Sequence, residues 1–96
     1  MAQFLITYDL HNRRQYGELY KLMAAWNATK LTESNWLASL NGTAEQVRDI
    51  VASKLDNDDT VAVLELKHGS YWATLRVSPA ANAWLSAYML PAKKAA

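Results

Sequence analysis

The sequence contains no cysteine and few of the residues that interrupt regular structure. Among its 96 residues there are only three glycines and two prolines. The absence of cysteine excludes disulfide scaffolds, thiolate metal sites and cysteine nucleophiles. A hydrophobic share of 51% with so little glycine excludes disordered and fibrous chains. We therefore expect one small folded domain over residues 1–96.

The sequence also lacks an excess of charge, a long apolar run and a signal peptide. Ten basic and nine acidic residues leave a net charge of +1, which excludes a strongly polybasic protein but allows a local basic patch. No stretch is apolar and long enough for a transmembrane helix, so no membrane partner is expected and the predicted location is cytoplasmic. Residues 91–96 are small and basic, and they predict a flexible tail or, alternatively, an arm that contacts phosphate.

The local patterns predict the element order βαββαβ, followed by one further strand and one further helix. Period-two alternation predicts strands over residues 4–8, 30–40 (broken near residues 34–35), 60–66 and 71–77. Helical periodicity predicts helices after Gln15, after a capping box at Thr43 and Gln46, and after Ser78. The first six elements are typical of an α+β, ferredoxin-like fold, with an antiparallel sheet and two helices on one face.

Both faces of the first strand carry apolar side chains, which predicts a central strand covered on both sides. Leu5 and Leu37 would lie open to water on the face away from the first two helices. The last helix or a second copy of the chain could cover that face. We expect a homodimer, because exposed apolar sheet faces are unusual in monomers.

Asp9 ends the first strand and is the first candidate for chemistry. A carboxylate is a ligand that Mg²⁺ prefers, but a single carboxylate is a weak metal site. Two copies of Asp9 that meet across a dimer axis would form a stronger one. The alternative interpretation is that Asp9 only ends the strand and caps the following loop.

Three residues just beyond Asp9 are suited to phosphate chemistry. His11 could serve as a general base or a proton shuttle. Arg13 and Arg14 carry the planar fork of donors that binds phosphate. The alternative for all three is a solvated polar loop.

Other motifs are absent or incomplete. The acidic run at residues 56–59 lacks the glycine and the distant glutamate of a calcium-binding EF-hand, and it predicts a helix-to-strand turn. The chain has no Walker loop, no GxGxxG and no nucleophile elbow. These absences argue against nucleotide hydrolysis, dinucleotide chemistry and serine hydrolysis.

The opening residues 4–10, which include Tyr8-Asp9, resemble the first strand of the Cas-two family, the second of the core CRISPR-associated proteins. Residues 33–37 are similar to the second-strand motif of that family, in which a serine (Ser34) precedes a bulky aromatic (Trp36) by two positions. The resemblance covers Gln3 to Leu66. It extends to stand-alone Cas-two-like proteins and to the virulence-associated VapD toxins.

This resemblance implies a ferredoxin-like homodimer that cleaves RNA or DNA. It implies that Asp9 of each chain binds a divalent metal, Mg²⁺ or Mn²⁺, and that His11, the possible general base, lies near the phosphate path. It also implies that Arg13, Arg14 and Ser34 lie near the nucleic acid. Several members of the family hold DNA or protein partners without cutting, so a non-catalytic dimeric binding module is the alternative. A third alternative is a small ligand-binding domain, which would need an apolar pocket at the dimer interface.

Overall fold

A computed structural model of the protein describes residues 1–11 and 16–89. Within these residues the chain forms four strands and three helices: β1 (Ala2–Asp9), α1 (Gly17–Ala25), β2 (Thr29–Thr32), β3 (Asn35–Leu40), α2 (Ala44–Ala52), β4 (Thr60–Leu66) and α3 (Pro79–Tyr88). The predicted α+β class is confirmed. Arg13, Arg14 and the predicted tail at residues 91–96 lie outside the described residues.

The four strands form one antiparallel sheet in the order β2-β3-β1-β4. β1 is central, as its apolar faces predicted, and β4 lies at an edge of the sheet. The element order and the antiparallel pairing are consistent with a ferredoxin-like arrangement. Leu5 of β1 is in register with Leu37 of β3 and Leu64 of β4, so three leucines lie side by side on one face.

The opposite face of the sheet carries the main hydrophobic core. Phe4, Ile6 and Tyr8 alternate along β1 and are buried there. They cluster with buried residues of the first two helices, namely Leu19 and Met23 of α1 and Val47 and Val51 of α2. The prediction that two helices cover one face is therefore confirmed. Two large apolar residues of these helices stay outside the core, since Tyr20 of α1 is 48% and Ile50 of α2 is 45% exposed.

Helix α3 packs on the leucine face of the sheet. Trp84, Leu85 and Met89 form a second buried cluster with Leu37, which is only 1% exposed. Leu5 packs against this cluster and is partly buried. The last helix therefore covers this part of the face within the same chain, while Leu64 at the edge stays 48% exposed.

Two of the three helices begin where local chemistry predicts. The Thr43 hydroxyl accepts a hydrogen bond from the Gln46 backbone N–H, and the Gln46 side chain accepts one from the Thr43 N–H. This completes the predicted capping box of α2. Ser78 caps α3 through the Ala81 N–H, and Pro79 takes the first helical position.

The predicted strand over residues 71–77 is wrong. These residues form no strand, although their side chains alternate as a strand would. Arg76 has a φ of 61°, a left-handed conformation that interrupts an extended backbone. Instead of pairing through its backbone, the segment is held by a hydrogen bond from the Thr74 hydroxyl to Asn82 of α3. Alternation predicts a strand only where a sheet edge pairs with it.

Candidate functional site

Asp9 is the last residue of β1 and lies at one end of the sheet. It is in register with Thr60, the first residue of β4, and its side chain is 75% exposed. A groove of about 180 Å³ runs beside it between the two strands, lined partly by Thr7 and Ala62. An exposed carboxylate on a paired strand end is accessible to a ligand and has a fixed backbone position.

His11 joins Asp9 to a second carboxylate. The His11 imidazole Nε2 lies 3.7 Å from Asp9 Oδ2. The backbone N–H of the same residue donates a hydrogen bond of 2.9 Å to Asp59 Oδ1. The structure therefore brings together Asp9 and His11, the two residues predicted to be catalytic, and it adds Asp59.

Asp59 is a hydrogen-bond centre for three separate parts of the chain. Besides the His11 N–H, it accepts the Tyr16 hydroxyl, 2.9 Å from Oδ2, and the Asp56 backbone N–H, 2.8 Å from Oδ2. Desolvation by burial opposes ionisation of this carboxyl. The hydrogen bonds from His11, Asp56 and Tyr16 outweigh it, so the pKa of Asp59 lies below its ordinary value. Asp59 is therefore an anion at neutral pH.

The turn that contains Asp59 brings together three carboxylates. Ligand oxygens of Asp56, Asp58 and Asp59 all lie within 4.8 Å of one another, so this acidic triad can hold a metal ion. The predicted helix-to-strand turn is confirmed, with the Asp59 N–H bonded to the Asp56 carbonyl oxygen at 3.1 Å. Sequence reasoning missed the triad as a metal-ligating group, although three aspartates within four residues were a visible signal.

The donor atoms of the triad are of the kind that a hard cation binds. Some of them, however, are already used in hydrogen bonds within the protein. Carboxylate oxygens are the ligands that Mg²⁺ and Ca²⁺ take. Both oxygens of Asp59, however, already accept hydrogen bonds from protein donors. An ion at the triad would compete with those bonds, and Asp9 is not a member of the group.

Ser34 lies at the same end of the sheet as Asp9. Its carbonyl oxygen accepts a hydrogen bond of 3.1 Å from the Tyr8 backbone N–H, one residue before Asp9. The predicted neighbours Arg13 and Arg14 lie outside the described residues, so their positions relative to Asp9 stay predictions.

Tyr8 supports the strand end from the core side. Its hydroxyl accepts a hydrogen bond of 3.0 Å from Trp36 Nε1, and the residue is only 5% exposed. Burial raises the pKa of Tyr8, and the Trp36 hydrogen bond lowers it by less. Tyr8 is thus a neutral, buried phenol that fixes β1 against β3 immediately before Asp9.

No protein-family model matches the chain. The resemblance to the Cas-two family therefore rests on the sequence of residues 4–10 and 33–37. Within the described part of the chain, no helix has the length and apolar character needed to cross a membrane.

Proposed function

We propose that the protein is a metal-dependent endonuclease that acts on RNA or DNA as a homodimer. The observation that carries the proposal is the contact of 3.7 Å between His11 Nε2 and Asp9 Oδ2 at an exposed strand end. A carboxylate that can bind a cation, next to an imidazole that can move a proton, is a combination that phosphodiester hydrolysis uses.

Asp9 is the proposed ligand of Mg²⁺ or Mn²⁺, together with the same residue of a second copy. When bound, the ion supplies polarisation of the phosphate and a water of lowered pKa. His11 accepts the proton that the attacking water loses and returns it to the leaving sugar oxygen. Asp59 acts as a positioning residue, since it holds the His11 backbone through the 2.9 Å hydrogen bond.

The nucleic acid is proposed to contact the residues that follow His11 in the sequence. Arg13 and Arg14 come next in the sequence, and their guanidinium groups would bind the phosphates on either side of the cleaved bond. Ser34, at the same end of the sheet, would add a hydroxyl. These contacts offset the repulsion between phosphate and the carboxylates of the site.

The homodimer is supported by apolar side chains that the single chain leaves exposed. Leu64 is 48%, Tyr71 78% and Leu75 75% exposed. Leu64 lies on β4, an edge strand of the sheet that the described residues form, and edge strands are common sites of pairing between chains. A dimer would cover such side chains, and it would supply the second Asp9 that a strong metal site needs.

The dimer is tested by sedimentation equilibrium of the wild type and of Leu75→Glu. We expect a dimer for the wild type and a monomer for Leu75→Glu. Ile50→Glu is the matched control, because Ile50 is a half-exposed apolar residue on α2, and this variant should stay dimeric. A wild-type protein that is monomeric at all concentrations would contradict the homodimer.

The alternative function is a dimeric module that binds nucleic acid or protein without cutting. The acidic surroundings of His11 favour the protein partner within this alternative, because Asp9 and the acidic triad repel phosphate unless a cation is bound. In that case Asp9→Asn would keep or improve binding, whereas an endonuclease would lose its activity.

The deciding experiment is cleavage of RNA and DNA oligonucleotides with Mg²⁺, with Mn²⁺ and with chelator. We expect metal-dependent cleavage that falls to background in Asp9→Asn and by about 100-fold in His11→Ala. Asp49→Asn removes an exposed carboxylate from α2 and should cleave like the wild type.

Three results would overturn the endonuclease. They are a folded wild-type dimer that cuts no substrate, cleavage that persists in chelator, and an Asp9→Asn protein that cuts normally. Retention of labelled RNA or DNA by the wild type without cutting would move the conclusion to the binding module.

A further inference from the structure

An apolar cleft of about 460 Å³ lies on the leucine face of the sheet, away from Asp9. Leu5, Leu37 and Leu66 form its floor, and Leu85 of α3 and Met89, which directly follows α3, form one wall. The opposite wall comes from residues 70–74, which include Trp72. The cleft therefore has a floor and two walls contributed by one chain.

Two hydrogen bonds fix the second wall to α3. We call residues 67–74 the strap. At its start, His68 Nδ1 lies 2.8 Å from the Tyr88 carbonyl oxygen, and at its end the Thr74 hydroxyl donates to Asn82 Oδ1 at 2.6 Å. Because a carbonyl oxygen only accepts, His68 Nδ1 carries a hydrogen. The strap is tied to α3 at both ends, and the cleft lies beneath it.

The size of the cleft is that of a ligand site. Protein interiors are packed so closely that few voids exceed one water molecule. Small-molecule sites, by contrast, have volumes of roughly 300–1,000 Å³, and 460 Å³ falls within that range. Leu5, Leu66 and Trp72 pack against the second core cluster but are only partly buried, so apolar surface is available to a ligand.

The polar lining residues decide the class of ligand. Glu65 and Lys67 are the charged members of the lining, one of each sign, and both are exposed. Because both are exposed to water, an ion pair with either one is screened and offsets little of the cost of burying a charged ligand. Ser70, Tyr71 and Thr74 bring hydroxyl groups to the lining. The Thr74 hydroxyl is already bonded to Asn82 and Tyr71 is 78% exposed, so we assign the ligand's hydrogen bond to the partly buried Ser70.

We propose that this cleft binds an uncharged, mainly apolar small molecule with at most one hydrogen-bonding group for Ser70. The site lies within a single chain, on a different part of the sheet from Asp9 and His11. It does not depend on the proposed endonuclease activity, and either proposal can fail alone.

The test uses N-phenyl-1-naphthylamine, an uncharged apolar dye whose fluorescence rises in apolar surroundings, added to the full chain. We expect saturable binding of one dye per chain and displacement by 1-decanol. Decanoate and decyltrimethylammonium match decanol in chain length but carry charge. We expect each to displace the dye with an affinity more than about tenfold lower.

Two variants fill the cleft with a larger side chain, Leu66→Trp from its floor and Leu31→Trp from β2. Each should weaken dye binding by about tenfold or more, because the added ring occupies the ligand volume. Ile50→Trp is the control, since it adds the same ring at a half-exposed position of α2 that is outside the cleft lining. Circular dichroism identifies which variants are folded. One folded filling variant is enough to test whether the dye binds in the cleft.

Several outcomes would overturn the proposal. Absence of saturable binding, or unchanged binding in a folded filling variant, would show that the cleft is not the site. Displacement by decanoate or by decyltrimethylammonium as strong as that by decanol would show that the ligand class is wrong. Dye binding by the monomer that disappears when sedimentation shows a dimer would show that a second copy, not a small molecule, fills the cleft.

Discussion

The carboxylate of Asp59 accepts a hydrogen bond of 2.9 Å from the backbone N–H of His11, 48 residues earlier in the chain. This bond ties the turn before β4 to the residue pair at the end of β1. Tyr16, just before α1, donates its hydroxyl to the same carboxylate. One side chain thus connects the start of a helix, a turn and the proposed catalytic histidine.

Replacing Asp59 by alanine should loosen this end of the sheet. The N–H groups of His11 and Asp56 would lose their acceptor, and the Tyr16 hydroxyl would keep only the longer contact of 3.5 Å to Asp56 Oδ2. We expect a lower urea midpoint and a large change in the amide chemical shift of His11 in a ¹⁵N–¹H spectrum. Asp58→Ala, which removes an exposed neighbour in the same turn, is the control and should leave the His11 amide in place. An unchanged His11 signal in Asp59→Ala would contradict this role.

Acid should remove the stabilisation that ionised Asp59 provides. The folded-state pKa of Asp59 lies below the ordinary value of 3.8, so the unfolded chain binds a proton at pH values where the folded chain does not. Stability from this group is therefore present above the ordinary pKa and is lost as pH falls through the lowered folded value. We expect the difference in urea midpoint between wild type and Asp59→Asn to be largest near neutral pH. It should shrink as pH falls through that window, and a constant difference would refute the pKa shift.

Replacing Tyr8 by phenylalanine should destabilise the junction of β1 and β3. The change removes the acceptor for the Trp36 indole N–H, which lies 3.0 Å from the hydroxyl in a part-buried position. An unsatisfied buried donor costs roughly 1–3 kcal/mol of unfolding free energy. Urea unfolding measures the loss. Tyr88→Phe is the control, because Tyr88 packs its ring against Trp84, and that contact survives the change.

Truncating Leu37 tests whether α3 covers the leucine face. Leu37 is 1% exposed beneath α3, whereas Leu64 on the same face is 48% exposed. Leu37→Ala should cost about 2–5 kcal/mol of unfolding free energy, the usual range for a buried leucine, whereas Leu64→Ala should cost much less. Urea unfolding of the dilute monomer makes the comparison. Equal losses at both positions would mean that α3 does not pack as described.

The elements that the sequence predicts well are those whose causes are local. The capping box of Thr43 and Gln46, and the cap of Ser78 with Pro79, involve residues three positions apart or fewer, and both form. The alternation of residues 4–8 predicted a central strand, and β1 has that place. The same alternation at residues 71–77 predicted a strand that is absent. Alternation shows which side chains are apolar. It does not show whether a neighbouring strand is there to pair with the backbone of the segment.

Part of the candidate site could likewise be predicted from the sequence, and part depends on the tertiary structure. The position of Asp9 at a strand end and of His11 two residues later follows from residue types and spacing in one short stretch. The part played by Asp59 follows from strand pairing, because Asp9 opposite Thr60 places the preceding turn beside His11. The cleft beneath the strap likewise depends on hydrogen bonds from His68 and Thr74 to α3. Composition and periodicity specify which residues seek burial or hydrogen bonds, but which distant groups meet is decided by the register of the sheet and the packing of α3.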